Sequence, residues 1–296
     1  MYREYASYIK EKFGTRVQKI ALNPGLGCPN RDGTIGTGGC TYCNNLTFSP
    51  FYGQASKPIA QQMDEGIAFF AKKYKCQKYI AYFQSYTNTY ADTAKLKTLY
   101  DSALQRDDVV GLTVATRPDC VDNQTLELLA HYSQKYYTVL EIGVESCYDA
   151  TLRMINRGHT FAQVEDAINR AAGFGIDVCA HLIMYLPGET EEMMLSTADI
   201  MSSLPVNILK LHQLQVIKGT AMARQYEEHP EQFALPTVEE YAAFAARYAH
   251  RARKDMIFER FVSESPMNMV VAPNWNGKKN YEITEMIKRE YEKMCK

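Results

Sequence analysis

The sequence predicts an α/β fold of parallel strands, either a partial (β/α)6 barrel or an open doubly wound sheet, and three observations lead there. Short apolar, β-branched runs recur near residues 16–22, 78–84, 110–116, 138–144, 176–184 and 206–214. Longer helical patterns separate them, near 58–74, 94–106, 122–134, 160–173 and 190–203, and strands alternating with helices of that length pair in parallel through right-handed crossovers. Six such units are fewer than the eight of a closed barrel.

Taken in order, an amphipathic helix near 2–13 opens the chain. No G-x-G-x-x-G follows the first strand; a cysteine- and glycine-rich stretch from Pro24 to Asn45 stands in its place. The apolar strands YIAYF and VGLTVA suit a sheet covered by helices on its faces. Several helix starts are readable: Pro58 suits a first helical position, Asp122 and Thr190 suit N-caps, and Thr160 with Gln163 reads as a capping box. After Gly219 the pattern changes to a helix over 237–254 capped by Thr237 and Glu240, a strand near 256–262, the loop SESPMNMVVAPNWNGKKN and a last helix over 281–294. The expected organisation is a core over 1–220, including a ligand loop at 24–47, and an extension over 221–296 packed on it.

Composition excludes several classes. Nowhere does an apolar run approach the roughly 18 residues that span a bilayer, and the N-terminus lacks an apolar leader, which points to a soluble, cytoplasmic chain without a membrane partner. The formal net charge is −1, so no general positive field advertises nucleic acid. Arg251, Arg253 and Lys254 lie on a helical pattern and read as a solvated face. Eight cysteines without a secretory signal read as metal ligands or thiols rather than disulfides. Cys76, Cys120, Cys147, Cys179 and Cys295 are scattered and read as plain thiols.

Cys28, Cys40 and Cys43 are different, because they fall within sixteen residues of the stretch from Pro24 to Asn45, which six glycines thread. Structural zinc wants four ligands, and no histidine lies among them; the first is His131. An iron–sulfur cluster on three thiolates leaves one iron free for a substrate or cofactor. Zinc with a distant fourth ligand and incidental thiols are the alternatives.

The pattern C-x11-C-x2-C after a first strand, with Tyr42 between the last two cysteines, resembles the radical S-adenosylmethionine (SAM) superfamily. The wider first gap resembles the branch related to the catalytic subunit of Elongator, and within it a bacterial family whose loop reads here CPNRDGTIGTGGCTYC. The resemblance covers nearly the whole chain and implies a partial (β/α)6 TIM-like barrel with a C-terminal helix and strand extension. It further implies a [4Fe–4S] cluster on Cys28, Cys40 and Cys43, whose remaining iron is chelated by the amino and carboxylate groups of SAM. A one-electron donor such as flavodoxin or ferredoxin is implied with it.

The same resemblance implies SAM contacts at the carboxyl ends of the strands. Gln84, in YFQSYTNTYAD, falls where the methionyl amino group is met, with Asn88 and Thr89 as weaker candidates; a polar turn before a helix is the plainer reading. Arg117 ends the third strand and reads either as a SAM contact or as a surface guanidinium. In TVLEIGVES, Glu145 suits the ribose or amino group, whereas Glu141 lies inside the strand and reads as half of an internal ion pair. Arg157, in INRGH, matches the arginine that steadies SAM, and His159 orients the following cap. His181 points either into the barrel mouth or into a satisfied core site. On ILKLHQLQVIKGT, Lys210 and His212 share one face, Gln213 and Gln215 the other; Gln215 or His212 is a candidate for touching substrate. Trp275 beside Lys278 and Lys279 reads either as a base-stacking cluster or as a core tryptophan.

For the substrate, kinship with the Elongator subunit and with bacterial relatives in wobble-uridine chemistry implies tRNA and a change at the C5 substituent of a modified uridine. Outside Cys40 and Cys43 there is no second C-x2-C, which argues against an auxiliary cluster. A small-molecule substrate, or a non-catalytic module in which metal only staples the loop, are the rival readings.

Overall fold

The computed structural model describes residues 1–74 and 77–295; the thiol expected at Cys76 lies outside them. The described elements, in chain order, are β1 (Arg3–Glu4), α1 (Tyr5–Phe13), β2 (Val17–Leu22), α2 (Ile59–Ala71), β3 (Lys78–Phe83), α3 (Thr93–Ala103), β4 (Val109–Thr116), α4 (Asn123–Ser133), β5 (Tyr137–Glu145), α5 (Asp149–Met154), α6 (Phe161–Gly173), β6 (Asp177–Met184), α7 (Glu191–Ser203), β7 (Ile208–Gln213), β8 (Val216–Ile217), α8 (Ala221–Glu228), α9 (Val238–Arg251), β9 (Ile257–Arg260), β10 (Val270–Ala272) and α10 (Asn280–Met294). Asp122, Thr160 and Thr190 cap their helices through side-chain oxygens, and Thr160 and Thr237 close capping boxes with Gln163 and Glu240. Pro58 is itself the cap residue, so α2 starts one position later than its sequence signal.

Eight strands form one parallel sheet in the order β1-β9-β7-β6-β5-β4-β3-β2. The six expected strands are β2 to β7; β9 from the tail and the two-residue β1 extend them. Neither β1 nor the β8–β10 ribbon is long enough to show a period in sequence, and the short helices α5 and α8 escaped for the same reason. The sheet curls, because Lys19 on its β2 edge reaches Glu259 on β9 at 2.5 Å. A flat sheet of this strand order would hold those two residues far apart.

Strand alternation fills the interior in layers. At the amino end Ile80, Val139, Cys179, Ile208 and Ile257 form an apolar layer plugged by Ile9 of α1. Two residues further along, Tyr82, Glu141 and Lys210 form a charged layer. Lys210 Nζ donates to both Glu141 oxygens at 2.9 Å and to the Tyr82 hydroxyl at 2.8 Å, and Tyr82 donates to Glu141 Oε1 at 2.7 Å. This is the internal partner expected for Glu141. Burial would raise that carboxyl, but Lys210 and Lys19 outweigh it and hold it at about 2.

Outside the sheet, helices and strands share an apolar core that includes Val238, Tyr241, Phe244 and Ile283 from the tail. Trp275 belongs to this packing: its Nε1 donates to Pro236 O at 3.0 Å and its ring lies 5.3 Å from Tyr241. That is the core reading of Trp275, and the exposed Lys279 pairs with Glu264. Arg251 pairs with Glu192 and Asp199, and Arg253 with Asp255 and with backbone carbonyls, so this basic group is an ion-paired face. Among the described residues no helix is long and apolar enough to cross a membrane.

Candidate active site

The loop that leaves β2 carries the three thiols. The residues between Cys28 and Cys40 fold back on themselves: Ile35 N donates to Pro29 O at 2.9 Å, Gly39 N to Asn30 O at 2.8 Å, and Asp32 bridges Thr37. The long spacing is therefore a closed lobe that returns Cys40 to the neighbourhood of Asn30, two residues past Cys28. Asn30 is buried, and its Nδ2 donates to Cys40 Sγ at 3.6 Å and to Asn156 O at 2.5 Å. A Cβ at Gly36 would stand 2.4 Å from Asn30 Oδ1, so glycine there admits the buried amide. Further bonds pin the loop to the α5–α6 connection, from Thr41 N to Ile155 O at 2.9 Å and from Asn156 Nδ2 to Gly39 O at 2.8 Å.

The lobe roofs a cleft of about 1320 Å³, counting its open mouth, at the carboxyl ends of the strands. Cys28, Cys40, Tyr42, Cys43, Gln84, Arg117, Glu145, Arg157 and His181 all line it. The structure thus gathers the whole expected set. A row of polar contacts crosses its floor. Arg157 donates from Nη1 to Cys40 Sγ at 3.6 Å and from Nη2 to Gly143 O at 2.7 Å, with Glu145 Oε1 3.3 Å from Nη2. Glu145 Oε2 lies 3.2 Å from His181 Nδ1, the His181 ring meets His212 edge-on at 4.1 Å between centroids, and His212 Nε2 accepts from Arg260.

Two features show that this row is imposed on the backbone. Glu145 has φ 65°, a left-handed conformation uncommon for a residue with a side chain, and the β5–β6 register slips between Gly143 and Glu145. Such strain costs of order 1–3 kcal/mol and persists where the surroundings fix it. Burial would raise the Glu145 carboxyl, but His181 and Arg157 outweigh it and hold it at about 2, so it is an anion at neutral pH. His159 is pushed down to about 3 by burial and by Arg157 and Arg117. Its ring nitrogens face Gly143 O at 3.2 Å and Thr160 O at 3.3 Å, so it braces the turn as expected.

Some expectations are corrected. Arg117 is not a surface group: it is 2% exposed and clamped by both Asp119 oxygens, at 2.9 and 2.8 Å. Asn88 and Thr89 spend their side chains on the carbonyls of Phe83, Ala115 and Cys120 and hold the β3 turn. Sequence reasoning missed Asn30, Arg31 and Asn45, which surround the thiols. Arg31 donates to Cys43 O at 3.1 Å and Asn45 to Cys43 Sγ at 3.8 Å. Each sits inside or beside the quoted cysteine motif, so a search for donors next to the ligands would have found them. Arg260 was also missed.

The donor set tests what the cleft can hold. Among the described residues, the group of three metal-capable side chains whose ligand atoms lie within 4.8 Å of one another is Glu141, Cys179 and Glu259. The three loop thiols do not form such a group, whereas tetrahedral zinc would draw sulfurs to about 3.8 Å. Beneath the thiols, Arg117 Nη1, Arg157 Nε and His181 Nε2 are buried without hydrogen-bond partners. With the Glu145 carboxylate beside them, cationic donors and an anionic acceptor face the cleft, which fits the carboxylate and amino groups of SAM.

Comparison with known proteins agrees with this geometry. The model of the Radical SAM superfamily matches residues 22–201, and that of the Radical_SAM C-terminal domain matches 206–293. The chain is 35% identical to YtqA of Bacillus subtilis, over 96% of this chain and 88% of that protein. It is 35% identical to Elongator complex protein 3 of Schizosaccharomyces pombe over 117 residues, 38% of this chain and 21% of that one. A solved structure of Elp3 from the archaeon Methanocaldococcus infernus superposes with a TM-score of 0.70, covering 94% of this chain and 63% of that chain, at 17% identity, a likeness of fold.

Proposed function

The chain belongs to the radical SAM superfamily and is related to the catalytic subunit of Elongator, and on that premise we propose that it modifies the C5 substituent of a wobble uridine in tRNA. Members of the family use a [4Fe–4S] cluster and SAM. Cys28, Cys40 and Cys43 would hold the cluster, and Gln84, Arg117, Glu145, Arg157 and His181, with Tyr42 covering the loop side, would hold SAM. Bound there, the pair supplies reductive cleavage of SAM to a 5′-deoxyadenosyl radical that takes hydrogen from substrate. The electron comes from a one-electron donor, for which flavodoxin or ferredoxin is our candidate.

The chain's own residues then have distinct tasks. Arg157 donates to Cys40 Sγ and Asn30 adds a second N–H, and such bonds to a ligating sulfur favour the more negative, reduced state. Glu145, ionised and fixed by Arg157, accepts hydrogen bonds from an ammonium or from ribose hydroxyls. The observation that carries the reading is the set of buried, unpartnered polar atoms around one cleft beneath three thiols. Burying such groups without partners is costly, so their retention points to a ligand that supplies them. The kinship with the Elongator subunit supports tRNA as the substrate.

The test is anaerobic. The protein is reconstituted with iron and sulfide, reduced with dithionite and given SAM, and 5′-deoxyadenosine is measured with and without bulk tRNA from a strain lacking the gene. Deoxyadenosine that rises with tRNA is the expected result. Slow formation indifferent to tRNA removes the tRNA substrate and leaves a small-molecule one.

A further inference from the structure

The charges of the barrel interior do not balance within the chain. Lys19 pairs with Glu259 at 2.5 Å, and Lys210 with Glu141 at 2.9 Å and Glu259 at 3.5 Å. Two cations and two carboxylates are thereby matched. Arg260 is a third cation beside them and has no ion pair among the described residues. Its side-chain partner is His212, which accepts the hydrogen bond at Nε2 and is therefore neutral, and its Nε is buried without any partner. A guanidinium does not lose its proton in proteins. The charge therefore stands uncompensated on the wall of the cleft.

The backbone puts it there. In the β7–β9 pairing Leu209 faces Phe258 and Lys210 faces Arg260, so Glu259 is an extra residue in β9. Phe258 packs outward against Tyr2 and Phe261. Strict alternation would send Glu259 inward and Arg260 outward with Phe258. The bulge keeps both charged residues inside, which is how bulges beside active sites re-aim a side chain. The wall around Arg260 is tied down as well: Gln213 Nε2 donates to Ser263 O at 2.9 Å, Ser263 N donates to Gln213 Oε1 at 2.8 Å, and Ser265 Oγ donates to Gln215 Oε1 at 2.8 Å. Glu264, on the loop that follows, is paired with Lys279.

Along the row of contacts Arg260 is the last member, separated from Cys40 by Arg157, Glu145, His181 and His212. It lines the side of the cleft formed by β7, β9 and the loop that follows. We propose that Arg260 anchors an oxyanion carried by the substrate, a carboxylate or a phosphate, on the β9 wall of the cleft. This rests on the uridine reading for the identity of the substrate, but not for the existence of the anion subsite. A guanidinium fork meets either oxyanion through paired hydrogen bonds.

The test uses the reconstituted, SAM-loaded protein as wild type, Arg260→Met and Arg260→Lys, with iron content and visible absorbance verifying that each variant is intact. Four probes are titrated calorimetrically: uridine, uridine 5′-monophosphate, uridine carrying a carboxymethyl group at C5, and malonate. Wild type is expected to bind one of the two charged nucleosides about tenfold tighter than uridine, the phosphate or the carboxylate form identifying the source of the anion. Arg260→Met should erase that preference and Arg260→Lys should keep part of it. Malonate should raise the unfolding midpoint of wild type more than that of Arg260→Met. If malonate discriminates and no nucleoside does, the subsite stands and the uridine reading falls. If neither discriminates between wild type and Arg260→Met, or if Arg260→Met loses affinity for SAM itself, the substrate subsite is overturned.

Discussion

Two layers of the same barrel carry buried charge and treat it in opposite ways. In the lower layer Lys210, Glu141, Tyr82, Glu259 and Lys19 satisfy one another within 3.5 Å. One row higher, on the same and neighbouring strands, Arg117, Arg157, His181 and Arg260 each leave a buried polar atom open around the Glu145 carboxylate. Burial is comparable, although the lower layer draws its cations from lysine and the upper from arginine and histidine. The difference is access: the upper layer faces the cleft and the lower one lies beneath it. A closed ion network specifies the curl of the sheet, whereas an open one is held ready for a partner that the chain does not supply.

Breaking the lower layer should cost stability. Lys210→Met leaves Glu141 and Glu259 facing each other without their shared cation, and a loss of about 3–5 kcal/mol is expected in urea unfolding. Lys210→Met combined with Glu141→Gln should recover most of that, because the remaining pair, Lys19 and Glu259, is balanced. Breaking the upper layer should instead cost ligand. Arg157→Ala is expected to weaken SAM binding about tenfold or more with iron still bound, whereas Cys40→Ala should lose the iron.

Acid sharpens the contrast. Both Glu141 and Glu145 sit at about 2 in the fold against 4.5 for the free group. A depressed carboxyl contributes stability that is fully present above its unfolded value and is lost as pH falls toward its folded one. Iron-free protein should therefore lose stability progressively from about pH 4.5 down to pH 2. The Lys210→Met, Glu141→Gln variant should show a shallower decline over the same window, measured by unfolding at each pH. The smallest effect belongs to Asn45→Ala, which removes one long contact to Cys43 Sγ. It should lower the cluster's reduction potential slightly and leave SAM affinity unchanged.

Much of this was legible in the sequence for a physical reason. Strands β3 to β6 are buried on both faces and announce themselves as apolar runs, and the caps at Asp122, Thr160, Thr190 and Thr237 mark helix starts by side-chain chemistry. The thiols and the strand-end residues lie at chain positions where a motif can be read. What stayed hidden depends on contacts far apart in sequence. Arg260 reaches the cleft through a bulge that leaves no trace in composition. Arg117 read either as a SAM contact or as a surface guanidinium, and its clamp by Asp119, two residues on, shows it buried. The partner of Glu141 was expected as a type and found as Lys210, 69 residues away.

Gly143 offers the most direct test of the difference between the layers. A methyl group there would stand 2.4 Å from Arg157 Nη2 and 2.8 Å from Glu145 Oε1, so it displaces both side-chain tips without removing a charge. SAM affinity and urea unfolding are measured on the same reconstituted preparations of wild type and Gly143→Ala. SAM binding is expected to weaken about tenfold or more, with a stability loss smaller than that of Lys210→Met. Unchanged SAM affinity, with stability lost as from a broken ion pair, would contradict this expectation and make the upper layer structural like the lower.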